Sequence, residues 1–90
     1  MKLREEYVLQ KIAEQWVVID TNGRSVNFNR LLALNESGRF LWEQLEAGAD
    51  REGLISALTD RFGIDRSRAA ADVGAFLQKL KELECIENEE

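Results

Sequence analysis

Ninety residues with 44% hydrophobic and 32% charged side chains fit one domain spanning residues 1–90, near the lower limit for a self-sufficient core. The absence of histidine and the single cysteine, Cys85, exclude an imidazole proton shuttle, an internal disulfide framework and an ordinary structural zinc site. The formal net charge of −5 weighs against nucleic acid, because a phosphate-binding face needs lysine and arginine in excess.

The first elements read as strands. Residues 7–13 (YVLQKIA) alternate loosely, and residues 16–20 (WVVID) are dense in β-branched and aromatic side chains. Glu14-Gln15 between them suits a tight hairpin, and Thr21-Asn22-Gly23-Arg24 is a strong turn signal because Asn-Gly accepts positive φ at low cost. Val26-Asn27-Phe28 reads either as an extension of the second hairpin or as an irregular crossing. Leu31-Leu32-Ala33-Leu34 is the third strand.

Three helices are predicted next. Asn35 is a favoured N-cap, Glu36 puts negative charge at the positive end of the helix dipole, and Phe40, Leu41 and Leu45 supply an apolar stripe. This helix covers residues 36–47 and stops at Gly48. Asp50 caps a second helix carrying Leu54, Ile55, Leu58 and Phe62, which Gly63 ends. Asp65 caps the third and longest, whose inner stripe is Ala69, Val73, Phe76, Leu77, Leu80 and Leu83. Residues 85–87 form either a short terminal strand or an apolar plug. The expected fold class is therefore α+β: an N-terminal three-stranded antiparallel β-sheet followed by three helices, winged helix-turn-helix-like.

Charge is distributed unevenly. Residues 1–34 carry five basic and four acidic side chains, whereas residues 35–90 carry seven basic and thirteen acidic. The helical half would repel a phosphate backbone. No apolar run reaches the roughly 20 residues that span a bilayer, and residues 1–6 lack the apolar core of a signal peptide. The expected location is the cytoplasm. No Gly-rich phosphate loop or nucleophile elbow is present, so no enzyme, metal or cofactor is expected.

The run LALNESGRFLWEQL, then EGLISAL and RFGID, then DVGAFLQKL resembles the PqqD family, named after coenzyme PQQ synthesis protein D. The resemblance covers roughly residues 7–87, with Ser37 where the family pattern has threonine. The stretch over residues 21–29 looks longer than in founding members, so the chain is most similar to a branch of small stand-alone members. The family resemblance implies a winged-helix peptide binder, or RiPP recognition element. Such a domain captures the leader of a ribosomal precursor peptide and presents it to a modifying enzyme, often a radical SAM protein. Capture by β-augmentation would place the leader along the third strand, against the third helix. Carried onto this chain, the resemblance implies a receiving edge at Arg30, Leu31, Leu32 and Ala33, and a facing wall at Asp72, Ala75, Phe76 and Lys79. If Leu32 donates to the guest, proline there would weaken leader binding without emptying the core.

Each of these residues also has an ordinary structural reading. Phe76 on an inner stripe is core packing before it is a groove wall. Asp72 and Lys79, seven apart on one helix face, are a solvated face before they flank a peptide. Trp42 packs on the sheet, Trp16 is at least partly covered, and Cys85 fills a small apolar space. Two other function classes fit the architecture: a winged-helix regulator that binds DNA or a protein, and a module that dimerises through its open strand edge.

Overall fold

The computed structural model describes residue 3 and residues 7–20, 32–83, 85 and 86. Three strands, β1 (Tyr7–Ile12), β2 (Gln15–Asp20) and β3 (Leu32–Leu34), precede three helices, α1 (Glu36–Glu46), α2 (Arg51–Phe62) and α3 (Arg66–Glu82). The expected turn at residues 21–24, the segment at 26–28 and the proposed edge residues Arg30 and Leu31 lie outside the described residues.

The sheet has the order β1-β2-β3, antiparallel at both pairings. Its first hairpin turns one residue earlier than its sequence suggests. Ile12 pairs with Gln15, so the loop is Ala13-Glu14, and both residues are left-handed, with φ of 51° and 69°. Two positive φ values in a two-residue loop match the twist of the flanking strands. Neither residue favours that conformation. Tertiary register imposes it: Tyr7 and Val18 must both face the core, where they are buried.

In β3 the alternation is sharp, with Leu32 and Leu34 buried and Ala33 exposed. The strand passes directly into α1. Asn35, in extended backbone, accepts a hydrogen bond from the Gly38 amide at 2.8 Å, and the Ser37 hydroxyl donates to the same oxygen at 3.1 Å. Asp50 and Asp65 cap α2 and α3 in the same way, accepting from the amides of Gly53 and Arg68 at 2.8 Å. At the other ends, α1 stops at Glu46 with Ala47 as its cap and Gly48 beyond at φ 100°, while α2 stops at Gly63 with φ 67°.

The core forms where the inner sheet face meets all three helices. Trp42, Leu54, Leu58, Leu77, Leu80, Val18, Val73 and Cys85 are its most deeply buried side chains. Each large aliphatic among them contributes on the order of 1.5–3 kcal/mol by leaving water. The Trp42 indole, with no exposed surface, donates to the Glu46 carboxylate at 3.0 Å. Phe40 and Phe62 join α1 to α2 edge-to-face, with ring centroids 5.7 Å apart. Past α3, Cys85 and Ile86 are buried, and Ile86 forms an antiparallel bridge to Leu3. The terminal segment thus serves as bridge and plug at once.

Candidate peptide groove

Pairing along β3 decides which of its backbone groups are available. A two-residue hairpin closes on a hydrogen-bonded pair, here Ile12 with Gln15, and bonded and non-bonded pairs then alternate. On β2, Gln15, Val17 and Ile19 consequently turn their backbone groups toward β1, and Trp16 and Val18 turn theirs toward β3. Trp16 lies opposite Leu34 and Val18 opposite Leu32. Leu32 and Leu34 are committed to the sheet. Ala33, opposite Val17 in a non-bonded pair, points its N–H and C=O at the open edge. The expectation that Leu32 donates outward is corrected by this register.

Beside that edge lies a groove of about 470 Å³, lined by Gln15, Leu32, Ala33, Leu34, Asn35, Gly38, Ala75, Phe76 and Lys79. On the far wall, Ala75, Phe76 and Lys79 share one face of α3 through their i, i+1, i+4 spacing. Phe76 is half-buried: it packs against the core and also lines the groove. Gly38 forms part of the floor. A Cβ there would come within 3.2 Å of the Asn35 side-chain oxygen and 3.3 Å of a Leu34 methyl. The missing side chain lets the strand–helix junction close.

Of the residues expected to form the site, Leu32, Ala33, Ala75, Phe76 and Lys79 come together. Asp72 stands apart from the lining, and its carboxylate lies 3.9 Å from Arg68 on the same helix. Gln15, Asn35 and Gly38 line the groove without having been expected there. Asn35 was already legible as a cap, but nothing local marks Gln15, whose position depends on the hairpin register.

A second hollow of about 380 Å³ shares Gln15, Leu34 and Asn35 with the groove and continues to Glu14, Trp16, Glu36 and Arg39. The Arg39 guanidinium sits 4.8 Å above the half-buried Trp16 ring and 3.8 Å from Glu43. Among the described residues no cluster of three or more potential metal ligands occurs.

A strand edge with an outward-facing residue, a helix wall and a capped junction between them is the kind of arrangement that the family resemblance implies. The family model described as coenzyme PQQ synthesis protein D (PqqD) matches residues 15–86. The chain belongs to the PqqD family. The match starts at the first residue of β2 and leaves β1 outside, a narrower span than the resemblance over residues 7–87.

Two solved structures share the PqqD-like fold of this chain. One is of TbiB1 in complex with the TbiA(beta) leader peptide, 23% identical with a TM-score of 0.80, covering 100% of this chain and 99% of that one. The other is of lasso peptide synthetase B1 complexed with the leader peptide, 23% identical with a TM-score of 0.74, covering 98% and 96%. Among curated proteins, no sequence matches this PqqD-family chain. Among the described residues, no helix is long and apolar enough to cross a membrane.

Proposed function

We propose that this PqqD-family protein is a non-catalytic adaptor that captures the leader of a ribosomally made precursor peptide as an added strand on β3. The carrying observation is the outward-facing backbone of Ala33 beside a groove walled by Ala75, Phe76 and Lys79. Backbone pairing at the edge supplies affinity, and alternate guest side chains entering the groove supply selectivity. Two structures of similar fold hold leader peptides, which supports the same guest here.

The captured peptide is presented to a modifying enzyme in the cytoplasm. Binding one partner while docking on the other raises the precursor's effective concentration at that enzyme without any chemistry by the adaptor. The family resemblance implies a radical SAM enzyme as that partner.

Calorimetry with synthetic leaders from short reading frames beside the gene tests the reading. Binding by the wild type, lost in a folded Ala33→Pro variant, is expected. Wild-type affinity in that variant would remove strand addition as the mechanism. A second copy pairing along β3 instead would appear as a dimer that added peptide does not dissociate.

A further inference from the structure

Among the described residues lining the groove, Lys79 is the only charged one. The four ion pairs among the described residues engage Arg39, Arg61, Arg66 and Arg68, none of them Lys79. In a chain of net charge −5, an exposed ammonium beside the groove's apolar side chains, with no carboxylate among the described residues paired to it, is a charge that a guest can complement. Phe76 and Ala75 on α3 and Leu32 and Leu34 on β3 supply the apolar side chains of the lining, beside the uncharged polar Gln15 and Asn35.

Spacing makes these two chemistries separately readable. From Phe76 to Lys79 the helix rises about 4.5 Å, at roughly 1.5 Å per residue. Side chains on one face of an extended guest recur about every 6.6–6.8 Å. The flexible Lys79 stem covers the difference. A guest residue paired with Ala33 turns its own side chain outward with that of Ala33, so its two neighbours enter the groove.

Resting on the strand-capture reading, we propose that the groove selects an apolar residue and an acidic residue two apart in the guest. The apolar one lies on Phe76 and the carboxylate pairs with Lys79, flanking the residue held by Ala33. The partner is thus an extended peptide carrying an apolar-x-acidic triplet, in whichever order the strand direction sets.

A phage-displayed library of random 12-residue peptides tests this without knowledge of the natural precursor. It is selected on the wild type, Lys79→Glu and Lys79→Met, each checked for fold by circular dichroism. Wild-type clones are expected to share the triplet with Asp or Glu at the charged position. Lys79→Glu should shift that position to Lys or Arg while keeping the apolar one, and Lys79→Met should leave it unbiased. In fluorescence anisotropy, changing the acid of a selected peptide to Gln should weaken wild-type binding about two- to fivefold, and Lys79→Met binding hardly at all. Wild-type clones sharing the apolar residue without an acid, or Lys79→Glu clones with an unchanged acid, would overturn the charge preference alone. A wild-type selection that enriches no peptide would overturn strand capture, and the preference with it.

Discussion

The Tyr7 hydroxyl donates to the Leu83 carbonyl at 3.0 Å, joining the start of β1 to the residue that caps α3, 76 positions away. A bond over that separation fixes the first strand against the last helix. Tyr7→Phe keeps the ring and removes the donor, so a loss of about 0.5–1.5 kcal/mol is expected. In a domain of this size that is a fall of several degrees in Tm, measurable by thermal denaturation. An unchanged Tm would mean that the bond contributes nothing net.

Two glycines in helices should respond to alanine with opposite signs. A Cβ on Gly74 meets only the flexible end of Arg51, at 3.9 Å, so Gly74→Ala should gain about 0.5–1 kcal/mol from helix propensity. At Gly38 the same methyl presses on the Asn35 cap oxygen and on Leu34, both held in place by the strand–helix junction. Gly38→Ala is expected to lower stability despite the better propensity. Urea denaturation of both variants gives the comparison, and a gain at Gly38 would show that the junction can yield.

Trp42 has no exposed surface, and its indole N–H reaches only as far as the Glu46 carboxylate on the next turn. Glu46→Gln retains an acceptor and should fall within about 0.5 kcal/mol of the wild type. Glu46→Leu strands a buried donor and should cost about 1–3 kcal/mol. Equal stability of the two would show that the indole finds another acceptor. Trp42→Ala should cost about 3–5 kcal/mol, enough to unfold a marginal domain.

Proline separates the two roles of neighbouring residues in β3. Leu32→Pro removes an N–H directed into the sheet and should lower stability by several kcal/mol, whether or not peptide is present. Ala33→Pro removes an outward N–H, which an edge position tolerates, and should spare the fold while abolishing peptide binding. Circular dichroism and calorimetry on the pair check the assignment. The reverse pattern would shift the register by one residue.

Much of this architecture was legible because short-range chemistry dictates it. Asn35, Asp50 and Asp65 each sit one residue before a helix and cap it as their side chains suggest, and Gly48 and Gly63 stand where left-handed backbone is required. Ala13-Glu14 was not legible, since neither residue advertises positive φ; long-range register selects it. Likewise Gln15, paired with Ile12 across the hairpin, enters the groove only because the hairpin register sets β2 beside β3. Asp72 illustrates a different limit. Seven residues before Lys79 it shares the angular face, but it lies about 10.5 Å back along the axis. Asp72 accordingly stays out of the groove lining.

The outward turn of Ala33 has a consequence for recognition. Its amide and carbonyl offer two backbone hydrogen bonds at the open edge, which contribute roughly 1–3 kcal/mol net. They also fix which guest residue lies opposite Ala33. A slip of one residue turns the guest's groove-facing side chains to the other face. This rung therefore works as a lock on the guest's alignment.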